Sequence, residues 1–283
     1  MIAERSSVVD LGEAAPGSGR GPGRRWPRIL MYHAIARVPE DPNRICVSPG
    51  RFEAQMRYLK RRGLRGVSVK TLMRAAGSGR AERFVGITFD DAYENFLHAA
   101  VPILQKYGFS ATVFAVGGML GEVNAWDERP RMRLLGVEGL REAARRGMEV
   151  ASHGMSHIRL ASVGEARLSE EVVQSRKVLA ELLDQEVVGF CYPYGSVDGA
   201  AARAAREAGY SYACACWTRV ENSLYDLPRP PVWEMDGPLL LAAKLRLFPA
   251  YFDALDLPVQ SALDKTGRMV HGGAKYLMRA AKR

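Results

Sequence analysis

From Arg28 onward, short apolar runs alternate with stretches in which apolar residues recur at helical spacing. The runs Ile29–Tyr32, Leu64–Val69, Phe84–Phe89, Ala111–Val116, Met148–Ser152, Val187–Tyr192 and Tyr210–Ala215 are rich in β-branched or aromatic residues, which predicts strands. Between them, Ser48-Pro49 supplies an N-cap and a first-turn proline. Phe52, Met56 and Leu59 then share one helical face as far as Gly63. Val137–Arg146 reads as a helix stopped by Gly147, and an Ala-rich helix ends at Gly209. Glu165–Leu183 reads as a longer helix with Leu168, Val172, Val178 and Leu182 on its buried side. Strand–helix repetition predicts an α/β fold with a parallel sheet and helices outside it. The seven units predict a barrel related to the eight-fold β/α barrel, with a doubly wound open sheet as the alternative. No G-x-G-x-x-G follows the first strand and no phosphate loop occurs, which argues against a nucleotide-binding open sheet.

Three regions are expected. Residues 1–27 are rich in Gly, Pro, Ser and Arg and read as a disordered arm. Residues 28–232 carry the barrel. Residues 233–283 read as a C-terminal helical extension, with an apolar run Leu239–Phe248 and a basic amphipathic tail Lys275–Arg283.

Polar residues collect at strand ends. Asp90 and Asp91 follow Phe84–Phe89, His153 follows Met148–Ser152, His33 follows Ile29–Tyr32, and Pro193-Tyr194-Gly195 follows Val187–Tyr192. In a parallel β/α barrel the C-terminal strand ends converge on one rim, where active sites sit. His153 and His157 are spaced so that both imidazoles can reach one metal ion. Taken alone, that spacing fits a capping histidine and a surface histidine equally well. Adjacent aspartates at a strand end point in different directions, so one can ligate while the other stays free as a base. By itself the pair reads as readily as a helix cap with a solvated neighbour. Together the four residues make a two-histidine, one-carboxylate site with open positions, the common arrangement for a hydrolytic metal.

Composition narrows the partners. The formal charge of +9 favours anionic partners, whether phosphate-bearing substrate, lipid or nucleic acid. The basic residues are dispersed and no nucleic-acid motif occurs, so nucleic acid is not expected. The apolar run followed by the basic tail predicts weak association with anionic membrane surfaces. The alternative is a helix packed on the barrel. Four cysteines without a C-x-x-C pair fit a reducing compartment. The N-terminus has no apolar signal region, and no run approaches the ~20 apolar residues of a membrane span. A cytoplasmic protein is therefore expected, peripheral to the inner membrane face if the tail binds lipid.

Three segments resemble the motifs of the polysaccharide deacetylase, or NodB-homology, family (carbohydrate esterase family 4). They are Thr88-Phe89-Asp90-Asp91, Ser152-His153-Gly154-Met155-Ser156-His157 and Phe190-Cys191-Tyr192-Pro193-Tyr194-Gly195, in the family's order and spacing. The resemblance covers roughly residues 28–232 and implies a distorted (β/α)7 barrel of the NodB-homology type. It also implies one divalent metal held by Asp91, His153 and His157, usually zinc, with cobalt, nickel or manganese as substitutes. Asp90 would be the general base, and the backbone N–H of Tyr194 would join the metal in holding the oxyanion. The activity implied is removal of an N-acetyl group from a GlcNAc-like amino sugar on a glycan, glycolipid, nucleotide sugar or natural-product glycoside. The alternative is a catalytically impaired sugar-binding or scaffolding protein on the same fold.

The chain departs from the family pattern in places. Ala92 stands where the family usually has Gly, a replacement suited to a turn without positive φ. Cys191 stands where many members carry an Arg that orients the base, and reads as a small buried strand residue. Arg229 is as well placed to supply that guanidinium as to be an exposed loop residue. The usual C-terminal histidine motif is missing. His98 and His271 lie in unpromising contexts, and His33 resembles the acid of a circularly permuted subgroup in which the strand that ends other members comes first. Trp126, Asp127 and Pro193 are candidate substrate or support contacts on the rim. Sequence leaves the sugar, its carrier and the oligomeric state open.

Overall fold

The computed structural model of the chain describes residues 27–216, 220 and 223–254. The arm expected over residues 1–27 lies outside them except for its last residue, as does the basic tail Lys275–Arg283 on which membrane association was predicated.

In chain order the elements are β1 (Ile29–Tyr32), β2 (Ala34–Ile35), β3 (Cys46–Val47), α1 (Pro49–Arg61), β4 (Arg65–Val67), α2 (Val69–Gly77), β5 (Phe84–Phe89), α3 (Val101–Lys106), β6 (Thr112–Ala115), α4 (Val137–Arg145) and β7 (Glu149–Ser152). They continue with α5 (Glu165–Leu168), α6 (Ser175–Leu183), β8 (Gly189–Cys191), α7 (Gly199–Glu207), β9 (Tyr212–Cys214) and α8 (Pro238–Ala254). Local chemistry sets the helix starts. The Ser48 and Ser68 side chains accept from Arg51 N–H and Thr71 N–H, and Pro49 opens α1. α1 then buries Phe52, Met56 and Leu59 as its spacing predicts.

The main sheet has seven strands, all parallel, in the order β1-β5-β6-β7-β8-β9, with β4 also on β5. β4 and β6 share the edge of β5 opposite β1. β4 takes Phe84–Gly86 and β6 takes Thr88–Phe89, so the sheet splays there. Its strands are buried almost throughout, as a parallel sheet covered on both faces requires.

A segment with no strand character in its sequence closes the ring. Leu227 bridges to Cys214 at the end of β9, and Pro231 bridges to Met31 in β1, both in parallel sense. The Met31 N–H donates to the Pro230 carbonyl at 3.1 Å and the Val232 N–H to the Met31 carbonyl at 2.8 Å. The sheet curls into a distorted barrel, and residues 227–232 carry it from β9 back to β1.

The helix expected over Glu165–Leu183 differs in phase. α5 and α6 are joined by a wider, π-helical turn at Ser169–Gln174. That turn adds one residue to the repeat, so the buried face after it is Leu179 and Leu183 rather than Val178 and Leu182.

Of the region expected as an extension, the described residues 233–254 make contacts with the barrel. Leu241 and Leu245 of α8 enter the main core, and Glu234 and Asp236 bond to Ser48 and Gln55 of the α1 region.

Candidate active site

Strand ends deliver the polar residues to one rim. After β5, the Asp90 N–H donates to the Tyr32 carbonyl at 2.9 Å and extends the β1–β5 ladder by a bond. The chain then turns through two left-handed residues, Asp91 at φ 71° and Ala92 at φ 56°. The turn thus does require positive φ at Ala92, against the expectation from sequence. A side chain in that region costs about 1–2 kcal/mol. Ala92 is held there by burial and by a bond from the Leu135 N–H to its carbonyl at 2.8 Å.

Asp91, His153 and His157 meet in the interior of the rim. His157 Nε2 lies 3.1 Å and His153 Nε2 3.4 Å from Asp91 Oδ1, and all three side chains are buried. His153 Nδ1 is 2.9 Å from the Cys191 carbonyl, which can only accept. Nδ1 therefore carries a proton, and Nε2, which faces Asp91, is the nitrogen a metal ion would take. Among the described residues Asp91 Oδ1 has no hydrogen-bond partner, although fully buried. Burial would push its carboxyl up, but the two imidazoles hold it well below the usual carboxylate range. An orphaned buried carboxylate oxygen facing two imidazole nitrogens is the donor set a divalent cation takes.

Asp90 sits in a different environment. Arg229 grips it with both ends of its guanidinium, Nη1 to Oδ1 at 2.7 Å and Nη2 to Oδ2 at 2.9 Å. Arg229 is itself buried and is aimed by Nε to the Ala215 carbonyl at 3.0 Å and by Nη1 to Thr88 Oγ1 at 2.8 Å. It arrives on the ring-closing segment. Its Nη2 lies 2.9 Å from Cys191 Sγ, so the small Cys191 leaves the space the guanidinium fills. Burial would raise the Asp90 pKa, and Arg229 reverses this and lowers it. The two aspartates, adjacent in sequence, thus face different partners.

The turn after β8 places Tyr194 at φ 60° and Gly195 at φ 64°. Its hydrogen bonds come from the Gly195 N–H to the Tyr192 carbonyl and the Ser196 N–H to the Pro193 carbonyl, and the Tyr194 N–H takes no part in them. Pro193 is buried within the turn. The Tyr194 ring lies 4.6 Å from that of His157, and Arg159 covers it at 4.4 Å. Trp126 stacks on His157 at 4.0 Å and 24°, so its contact is with the imidazole of the site. Asp127 accepts from Asn43 at 2.7 Å, and burial followed by the Asp91 charge raises its pKa. His33, half-buried at the end of β1, is near enough to Asp90, Asp91 and Asp127 to stabilise each as an anion.

Two residues of the site escaped the sequence reading. Glu171, in the π-helical turn, is fully buried and accepts from the Met155 N–H at 2.8 Å and the Ser156 N–H at 3.0 Å. It also takes the Ser156 hydroxyl, and so braces the loop between His153 and His157. Gly154 at φ 80° makes room for it, because a Cβ there would lie 2.9 Å from Glu171 Oε2. The Tyr93 hydroxyl is buried without a hydrogen-bond partner among the described residues, and burial, then Asp91 and Asp127, raises its pKa. The burial of Glu171 follows from a one-residue shift in helical phase that apolar spacing did not report. Tyr93 lies two residues beyond Asp91, outside the motif Thr88-Phe89-Asp90-Asp91.

The family model for polysaccharide deacetylase matches residues 77–213. The Bacillus subtilis (strain 168) protein YxkH, which carries a polysaccharide deacetylase name, is 30% identical over 184 residues, 64% of this chain and 61% of that protein. The poly-β-1,6-N-acetyl-D-glucosamine N-deacetylase of Staphylococcus aureus (strain MRSA252) is 27% identical over 176 residues, 59% of each chain. The chain thus spans about three fifths of the length of the curated relatives it matches. Among solved structures, the Streptococcus pyogenes deacetylase PplD in complex with acetate superposes with a TM-score of 0.67 at 26% identity, over 77% of this chain and 97% of that one. The Aggregatibacter actinomycetemcomitans de-N-acetylase shares the fold at 18% identity, with a TM-score of 0.65 over 78% of this chain and 100% of that one.

Proposed function

The chain belongs to the polysaccharide deacetylase family, and on that footing we propose that it hydrolyses the N-acetyl group of a GlcNAc-like amino sugar in a metal-dependent reaction. One observation carries the reading. A buried, partnerless carboxylate oxygen of Asp91 faces two imidazole nitrogens, beside a second carboxylate held as an anion by Arg229.

Asp91, His153 and His157 would hold the cation, zinc in the first instance. When bound, it supplies Lewis acidity toward the acetyl oxygen and acidifies water at the site. Asp90, ionised and immobilised by Arg229, would accept a proton from the attacking water. The Tyr194 N–H would donate to the developing oxyanion. The leaving nitrogen needs a proton as the C–N bond breaks, because an amide anion is too poor a leaving group. His33, at the end of β1 on the same rim, is the group proposed to give it. The products are acetate and a free amine.

Acetate release and metal content, measured together, test this. The full chain should bind about one zinc and release acetate from at least one member of a panel of glycan-, lipid-, nucleotide- and glycoside-linked N-acetyl sugars. His153→Ala should lose both metal and release. Asp90→Asn and His33→Ala should keep metal and each lose turnover by ~10²–10⁴-fold, the usual share of acid–base catalysis. Full metal occupancy in His153→Ala would remove the ligand assignment, and near-normal rates in the other two would remove theirs. Zinc binding without acetate release from any substrate would point instead to a sugar-binding protein.

A further inference from the structure

Beside the candidate active site lies a cleft of about 900 Å³ that the hydrolytic reading leaves unused. One wall is the loop between β2 and β3, the other is the turn Trp233–Met235, and Arg51 of α1 lies between them. Both walls leave the barrel at the C-terminal ends of neighbouring strands. The loop follows β1 by way of the short β2, and the turn follows Val232, whose N–H is bonded to Met31 of β1. The loop also reaches the metal-site rim, where Asn43 donates to Asp127. An occupant of the cleft would therefore lie on the same rim as the acetyl-cleaving residues.

The cleft carries Arg37, Arg44 and Arg51 against Asp41 and Glu234. Both carboxylates are committed within the fold. Asp41 accepts from the Ile45 and Cys46 N–H groups at 3.0 and 2.9 Å, and Glu234 from the Ser48 N–H and hydroxyl at 2.7 and 2.9 Å. Glu40 of the same loop pairs with Arg129 instead. Among the described residues the side chains of Arg37, Arg44 and Arg51 have no hydrogen-bond or ion-pair partner, and Arg51 Nε is buried without one. A buried N–H without an acceptor costs about 1–3 kcal/mol, so this wall is built for an acceptor that the chain does not provide.

We propose that this cleft binds a phosphate or diphosphate carried by the amino-sugar substrate. A carboxylate brings one charge and engages one guanidinium bidentately, whereas a diphosphate brings enough charge and acceptor oxygens for all three. The inference rests on the amino-sugar reading of the neighbouring site and narrows its substrate to a sugar phosphate conjugate. The excess of basic residues in the chain thereby acquires a specific place to act.

Pyrophosphate is titrated calorimetrically into the zinc-loaded full chain, with Arg37→Gln/Arg44→Gln and Arg51→Gln beside it. Affinity should fall about tenfold for each guanidinium removed, the equivalent of one charge-assisted hydrogen bond. Equal affinity in the chain and the double variant, as binding at the metal alone would give, overturns the proposal, and so does no binding at all. The double variant replaces only exposed side chains, so it carries the test if Arg51→Gln fails to fold. A nucleoside-diphosphate amino sugar and a short polyprenyl-diphosphate amino sugar are then compared as competitors. Displacement by either supports the cleft and names the source of its phosphate, and displacement by neither overturns it. Acetate release from neutral chito-oligosaccharides separates the two readings. Release without pyrophosphate binding removes the cleft alone, and cleft-dependent binding without release from any amide removes the hydrolysis alone.

Discussion

Ala92 shows how a single methyl group records a local cost. The turn after the aspartate pair needs positive φ at this position, and the chain meets that need with a residue that has a Cβ. Ala92→Gly should stabilise the protein by up to about 1 kcal/mol in urea unfolding, net of the extra entropy glycine brings to the unfolded chain. Destabilisation would mean that the Ala92 methyl contributes more packing than its backbone costs. Arg229 is the opposite case, a residue whose removal strands its partner. In Arg229→Gln the Asp90 carboxylate stays buried without its counter-charge, a loss on the order of 3–5 kcal/mol at pH 7. The pH dependence has a definite sign. With Arg229 present the folded Asp90 pKa is lowered, so its stabilisation holds above the unfolded value of about 3.9 and fades as pH falls through the lower folded value. Without Arg229 burial is opposed only by the weaker pull of His153 and His33, and the folded pKa rises. The gap between parent and variant should therefore narrow as pH is lowered from 7 toward about 3, and a gap independent of pH would mean that Asp90 is not the group responsible.

At the scale of elements, most strands and the motif residues were legible because they are local. The runs at Ile29–Tyr32 and Phe84–Phe89 coincide with β1 and β5, and the other runs shorten by a residue or two at one or both ends. The aspartate pair, both histidines and the Tyr194 turn stand at strand ends, where a parallel barrel must bring them together. Features created by distant contacts were not legible. Residues 227–232 are rich in proline and join the sheet only through single bridges to β9 and β1, so no strand pattern announces them or the inward aim of Arg229. The π-helical turn at Ser169–Gln174 breaks the spacing on which apolar periodicity depends, and turns Glu171 inward. Glu171 is therefore a positioning residue for the histidine loop. Glu171→Gln keeps the shape but replaces one carboxylate oxygen with an NH₂ that cannot accept. Zinc affinity, read by competition with a chelator, should fall about 10–100-fold, the usual effect of disturbing outer-shell support. Faster amide exchange at Met155 and Ser156 should accompany it, and unchanged affinity and exchange would leave Glu171 with a purely structural place in the helix.

Across the whole molecule, α8 completes the barrel. Its buried Lys244 donates to the Pro231 carbonyl at 2.5 Å, binds Asp236, and lies 4.1 Å over the Trp233 ring. Asp236 in turn accepts from the Trp233 N–H at 2.8 Å, and its carbonyl accepts from Gln55, whose own carbonyl oxygen takes the Tyr32 hydroxyl. A continuous chain of contacts thus runs from α8 through the closing segment and α1 to the end of β1. Pro231 lies two residues from Arg229, and Tyr32 precedes His33. Burial lowers the Lys244 pKa despite Asp236, and a buried pair costs most when one partner is removed and the other charge is left behind. The prediction is therefore asymmetric. Lys244→Met keeps most of the stem's packing but leaves Asp236 charged and buried, and should cost about 3–5 kcal/mol in urea unfolding. Adding Asp236→Asn removes the stranded charge and should recover much of that loss. Near-additive losses would mean that each partner acts through its own backbone bonds, Lys244 to Pro231 and Asp236 to Trp233. In that case the closing segment is held by hydrogen bonding, and the charge pair has no part in it.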